Sequence, residues 1–139
     1  MRSVDGWWAE YHLDPAGLTV LVAGGTAVDA AVGAMFCDGV YNSHSMGLGG
    51  GFLLTFYNRT ERRAVSLTAR ERAPAAASRD MFGRDPDLAS KGGLAVAVPG
   101  EVAGYWEARR RHGNPAISWE RIIRPTLQMC RDGIPVSKT

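Results

Sequence analysis

A chain of 139 residues with 45% hydrophobic side chains is long enough to bury one core, and its two cysteines are too few for a disulfide scaffold. The net charge of +2 conceals an asymmetry: residues 1–58 carry one basic and five acidic side chains, residues 59–139 fifteen basic and nine acidic. Nearly all the basic groups are arginines, but they alternate with acids, as in Arg70-Glu71-Arg72, Arg79-Asp80 and Arg84-Asp85, and no aromatic-spaced RNA motif accompanies them, which argues for a solvated face and against a nucleic-acid partner.

Residues 1–17 are rich in Trp and polar groups and show no period that assigns them to an element. The most apolar window, residues 18–37, is interrupted by Asp29 and three glycines, and no basic leader with a cleavage site opens the chain, so neither a spanning nor a targeting segment is read here. After Gly24-Gly25 the positions Val28, Ala31, Val32, Met35 and Phe36 follow helical spacing, Thr26 to Asp29 form a capping box, and Gly39 is the expected stop, so a helix is predicted over 26–38. Its alanines at 27, 30, 31 and 34 predict close approach to a sheet. Residues 52–57, apolar and aromatic, predict a buried strand, and a polar turn then leads to a second strand over 64–69, closing a β-hairpin. In that second strand Val65, Leu67 and Ala69 share one face, Ser66, Thr68 and Arg70 the other.

A long connection over 73–93 precedes a short strand predicted at 94–98. Pro99-Gly100-Glu101 then opens a helix, predicted over 100–112, in which Val102, Tyr105, Trp106 and Arg109 share a face. A last helical segment begins at Ser118-Trp119-Glu120. Pro125 is expected to break or restart it, and Ile122, Ile123, Thr126, Leu127 and Cys130 form its expected buried stripe up to Gly133 and Pro135.

The stretch HSMGLGGGFLLTFYNRT, residues 44–60, places Gly47, Gly49, Gly50 and Gly51 directly before the first strand. Such backbone freedom serves a phosphate cradle, a close-packed turn or the wall of an active site. A Walker loop needs Lys-Ser/Thr after its last glycine, where this chain has Phe52-Leu53, and a dinucleotide fingerprint needs a helix after its glycines, where this chain predicts a strand. The phosphate reading is therefore set aside.

Five segments together, GGTAVDAAVGAMFC, NSHSMGLGGGFLLTFYNRT, TARERAP, KGGLAVAVPGEVAGYWEARRRHG and QMCRDGIPV, resemble in this order the N-terminal part of the large subunit of the γ-glutamyltranspeptidase (glutathione hydrolase) family. The resemblance divides the chain into a divergent or non-native segment, 1–23, and an incomplete domain, 24–139. It implies an α+β fold, the αββα sandwich of N-terminal-nucleophile hydrolases, present as an N-terminal fragment. It further implies an enzyme that passes the γ-glutamyl group of glutathione and related compounds to water, amino acids or peptides, without metal or organic cofactor. The family nucleophile is a threonine freed by self-cleavage at a Thr-Thr-His or Thr-Ser-His site. These residues contain no such site, so the nucleophile would come from elsewhere and the 139 residues alone are expected to be inactive. The implied partners are a γ-glutamyl small molecule, the remainder of the large subunit and the small subunit, with a membrane reached only through an anchor outside this sequence. A truncated, inactive paralogue serving as a structural or partner module is the alternative from another class, and an acylase with a different acyl group a third.

By the same resemblance Arg70 in TARERAP corresponds to the arginine that holds the α-carboxylate of the γ-glutamyl group. A guanidinium offers parallel donors matched to a carboxylate; read without the resemblance, Arg70 would form a surface ion pair with Glu71. Glu71 falls on the opposite face of an extended chain and is read as structural or supporting. His44, between Ser43 and Ser45, is read as a histidine satisfied by backbone groups rather than as part of a nucleophile pair. The four glycines are then a structural turn beneath the substrate pocket. Asn58-Arg59-Thr60 is a glycosylation sequon on the hairpin turn, a place where animal members carry a similar site, and the expected location is the extracellular face of the plasma membrane or the secreted space. Cys37 matches a family cysteine whose usual partner lies upstream, where this chain has none, so it is a free core thiol or residues 1–23 are not the native upstream sequence; Cys130 is expected to be buried.

Overall fold

The computed structural model describes residues 13–134 of the chain. Residues 1–12 and 135–139, which include Pro135, lie outside them. The first element is a helix that the sequence pattern did not assign, α1 (Leu13–Val22), which buries Ala16 and Val20. Gly24, at φ +88°, and Gly25 turn the chain sharply into α2 (Ala27–Tyr41). The predicted capping box is formed: the Thr26 hydroxyl accepts from the Asp29 amide at 3.2 Å, and the Thr26 amide donates to Asp29 Oδ2 at 2.9 Å.

Helix α2 does not stop at Gly39. It continues to Tyr41 because Gly39 is a contact position, where a β-carbon would come within 3.3 Å of the Gly47 α-carbon. Val28, Val32 and Phe36 are buried as the spacing predicts, but the close approach made by the alanines is to helices. Along α2, Gly17 of α1 faces the Ala30 carbonyl and Gly33 faces Ile122 of the last helix. Small side chains admit a neighbouring helix as readily as a sheet.

The hairpin pairs β1 (Phe52–Asn58) with β2 (Arg63–Ala69) antiparallel, in the register Phe52 with Ala69, Leu54 with Leu67 and Phe56 with Val65. Asn58 Oδ1 closes the turn by accepting from the amides of Thr60 and Glu61. The strand read as buried is half-buried on one face and exposed on the other. There Leu53 and Tyr57 are 71% and 59% exposed.

No strand forms at 94–98. The connection holds two short 3-10 turns, Pro86–Ala89 and Gly93–Ala95, and Val98 alone pairs, through reciprocal backbone bonds with Arg72 of 3.0 and 2.8 Å. Gly92-Gly93 before this segment and Pro99 after it leave too little chain for a ladder.

Helix α3 (Glu101–His112) packs on β2 through Glu101, Gly104, Tyr105 and Ala108. This face is rotated from the expected one: Tyr105 is fully buried and Arg109 nearly so, but Val102 and Trp106 are largely exposed. Helix α4 (Trp119–Asp132) is capped by Ser118 and runs unbroken through Pro125, which removes one donor while the buried Ile122 and Thr126 on either side hold the helix against α2. Leu127 and Cys130 are exposed, so the buried stripe is narrower than its pattern suggested. Gly133, at φ +82°, ends the helix.

The core forms where the four helices pack on one another, with α3 seated on the inner face of the hairpin. Val20, Val32, Phe36, Tyr105, Ile117 and Ile122 make one cluster, with Phe36 edge-on to Tyr105 at 4.8 Å and to Trp119 at 5.9 Å. One buried polar junction ties its two ends together. Asp29 Oδ2 accepts from the amides of Thr26 and Asn114, while its other oxygen faces Arg109 Nε at 3.4 Å, and the Arg109 guanidinium donates onward to the Ile117 carbonyl. Breaking a buried pair of this kind from one side costs about 3–5 kcal/mol.

Candidate substrate-binding site

The backbone at the end of β2 is held between two glycines. A β-carbon on Gly51 would land on the Ala69 carbonyl oxygen and lie 3.0 Å from the Arg70 α-carbon and the Glu71 amide nitrogen. One on Gly100 would land on the same oxygen and 2.6 Å from the Arg70 carbonyl oxygen. Only glycine permits such backbone-to-backbone contact on both sides. The Gly50 carbonyl then accepts from the amides of Gly100 at 3.0 Å and Glu101 at 3.1 Å, joining the glycine loop to the start of α3. The glycines therefore fix where Arg70 leaves the sheet.

The loop does not use its glycines equally. Gly47 packs on Gly39, Gly50 lies near the carboxylates of Glu101 and Glu71, and Gly51 is in the tightest contact, whereas a β-carbon on Gly49 would point into open space. Glu101 is buried and accepts from the Tyr105 hydroxyl. Burial first, then that bond and the neighbouring negative charge push the Tyr105 phenol up from its ordinary value, so it stays a neutral donor.

Arg70 ends the hairpin with its side chain 65% exposed and its Nε 3.2 Å from Glu71 Oε2. The ion pair read from sequence is therefore present, yet the guanidinium remains open to solvent. It lines a cavity of about 360 Å³ together with Thr68, Arg72, Val98, Gly100 and Glu107. The other oxygen of Glu71 lies towards Gly50. Such an arrangement can hold an anion over the exposed face of Arg70 while Glu71 steadies the guanidinium from behind.

His44 lies elsewhere. It is exposed in the turn after α2, and its ring has no hydrogen-bond partner among the described residues, so the expected backbone bonds are not made. Asn58 is at the opposite end of the hairpin from Arg70. Cys37 is buried with its sulfur 3.2 Å from Thr126 Oγ1, Cys130 is exposed, and neither is in a disulfide. Burial is the main cause that raises the Cys37 thiol. Sequence reasoning did not single out Arg72, Gly100 or Glu101 as neighbours of Arg70. The signal for Arg72 was the two-residue period of an extended chain, which returns Arg70 and Arg72 to one side.

A bundle of helices joined through α3 to one face of an antiparallel hairpin defines an α+β chain, part of the N-terminal-nucleophile hydrolase fold of its structural neighbours. Of the expected layers, the described residues contribute one of helices and two strands of a sheet. The family model for gamma-glutamyltranspeptidase matches residues 15–139. Glutathione hydrolase proenzyme 1 of Schizosaccharomyces pombe is 46% identical over 124 residues, covering 88% of this chain and 19% of that protein. Scoloptoxin SSD14 of Scolopendra dehaani is 45% identical over 121 residues, covering 87% and 21%. The crystal structure of Helicobacter pylori gamma-glutamyltranspeptidase superposes with a TM-score of 0.82 at 30% identity, over 91% of this chain and 37% of that one. The chain belongs to the γ-glutamyltranspeptidase family, and it spans about a fifth of the length of these curated relatives.

Proposed function

We propose that these residues form the γ-glutamyl-recognition part of an enzyme that hydrolyses the γ-glutamyl bond of glutathione and related compounds, or transfers the group to amino acids or peptides. The observation that carries this reading is Arg70, whose backbone is clasped by Gly51 and Gly100 while its guanidinium faces an open cavity. A clamp on the α-carboxylate leaves the γ-carbonyl free to reach a nucleophile at the far end of the glutamyl chain. That nucleophile is a threonine outside these residues, uncovered by self-cleavage; the word proenzyme in the name of the Schizosaccharomyces pombe relative is consistent with such a precursor. Its hydroxyl adds to the γ-carbonyl, its own amine takes the proton, and the leaving amine departs protonated before water or an acceptor amine resolves the ester. On this reading the 139 residues alone turn over no γ-glutamyl anilide. Asn58, half-buried at the end of β1 where the turn begins, is the glycosylation acceptor, and the protein works on the extracellular face of the plasma membrane or is secreted.

The test is substitution of Arg70 in the full-length protein. Arg70→Ala lowers kcat/KM for γ-glutamyl substrates by about 2–5 kcal/mol of transition-state stabilisation, and Arg70→Lys recovers part of it, because an ammonium cannot match both carboxylate oxygens. Self-cleavage persists, since it acts on the chain's own peptide bond. A processed Arg70→Ala enzyme with unaltered KM overturns the clamp.

A further inference from the structure

The cavity beside Arg70 has a second cation. Arg72 lines it too, and its position is set by the backbone: its amide and carbonyl are both bonded to Val98, at 3.0 and 2.8 Å. Two residues of extended chain separate the α-carbons of Arg70 and Arg72 by about 7 Å. Arg72 has no acidic partner among the described residues, whereas Arg70 is paired with Glu71.

The acid that does line this cavity, Glu107, is already committed. It accepts from Arg110 at 2.7 and 2.8 Å and from Arg111 at 2.6 Å, and these bonds hold its carboxyl down at about 2. Gly100, the N-cap of α3, and Ala103 from its first turn form another part of the wall, with the Gly100 and Glu101 amides already bonded to the Gly50 carbonyl. Of the two arginines on the cavity wall, Arg72 is therefore the one whose charge no acid among the described residues matches.

We propose that Arg72 is a second carboxylate-recognising residue beside Arg70, which makes the site selective for γ-glutamyl compounds whose amine portion carries a carboxylate of its own. This rests on the reading that Arg70 holds the α-carboxylate. With the α-carboxylate on Arg70, a second carboxylate on the amine side of the scissile bond lies within the reach of a long, solvent-exposed guanidinium. Compounds with an uncharged amine portion leave Arg72 solvated and gain nothing from it.

The experiment compares kcat/KM of the full-length protein for γ-glutamylglycine and for its glycinamide analogue, which differ in that one charge. The unsubstituted enzyme prefers γ-glutamylglycine, and 0.5 M salt narrows the preference, because both partners are exposed to screening ions. Arg72→Ala cuts kcat/KM for γ-glutamylglycine by about tenfold more than for the glycinamide. Arg72→Gln, which keeps length and polarity, loses the preference likewise, and Arg72→Lys retains part of it. An equal fall for both substrates makes Arg72 a structural residue and overturns the proposal, as does a preference that survives both neutral substitutions. Arg70→Ala separates the two readings: equal loss on both substrates supports the clamp, and retention of both overturns it and the role of Arg72 with it.

Discussion

The two thiols show how one residue type divides by position alone. Cys37 sits inside, against Thr126, while Cys130, one helical turn further along α4, faces solvent. Because burial favours the neutral form, the folded thiol of Cys37 titrates above its unfolded value. Its contribution to stability is complete below the unfolded thiol value and is lost as pH rises from there through the raised folded value. At pH 8 an aromatic disulfide reagent should therefore react promptly with one thiol per chain and with the second only after denaturant is added. Two fast thiols in the native chain would mean that Cys37 is not packed as described. The resemblance left Cys37 either a free core thiol or a sign that residues 1–23 are not the native upstream sequence, and the structure places it as a free thiol in the core. Cys130 was expected to be buried too and is exposed, because Thr126 and Leu127 extend the same apolar stripe and only the position of α2 decides how much of that stripe is covered.

The glycine loop and the strand it precedes act as one element. Gly51 and Gly49 are two residues apart, yet one touches the Ala69–Arg70 backbone and the other touches nothing. Gly51→Ala must push β1 away from β2 or shift Arg70, and it should cost about 1–3 kcal/mol in stability and raise KM for γ-glutamyl substrates. Gly49→Ala, with open space and no positive φ, should stay within about 0.5 kcal/mol of the parent. Chemical denaturation of both variants checks the pair, and equal effects would refute the clasp. The hairpin was legible because alternation, a polar turn and strand length agreed. The strand at 94–98 was misread because its apolar residues lacked a neighbouring edge beyond Arg72.

At the scale of the whole chain, the hairpin is covered on one face and bare on the other. Leu53 and Tyr57 project from the bare face, and Leu94, Val96 and Val98 are exposed along the connection. Monomeric proteins rarely leave apolar groups uncovered in such groupings, and sheets within layered folds are covered on their apolar faces. The 139-residue polypeptide on its own should bind a hydrophobic dye and melt broadly. In the full-length protein the same surface should no longer bind dye. A sharp melt of the short polypeptide without dye binding would show that the hairpin face needs no cover.

Local chemistry was enough to determine the capped start of α2, the hairpin and its inner face, and the start of α3, because each rests on neighbours within a few residues. The resemblance of its motifs likewise placed the chain in its family and marked Arg70. Tertiary structure decided the rest. It carried α2 through Gly39 and α4 through Pro125, rotated the buried face of α3, and replaced a predicted strand by a single bridge. In the first three a contact from another segment outweighed the local signal: Gly47 against Gly39, Cys37 against Thr126 beside Pro125, and Ala69 against Gly104. The same contacts place Arg70 and Arg72 in one cavity, a juxtaposition that depends on Gly51 and Gly100 meeting across the end of β2.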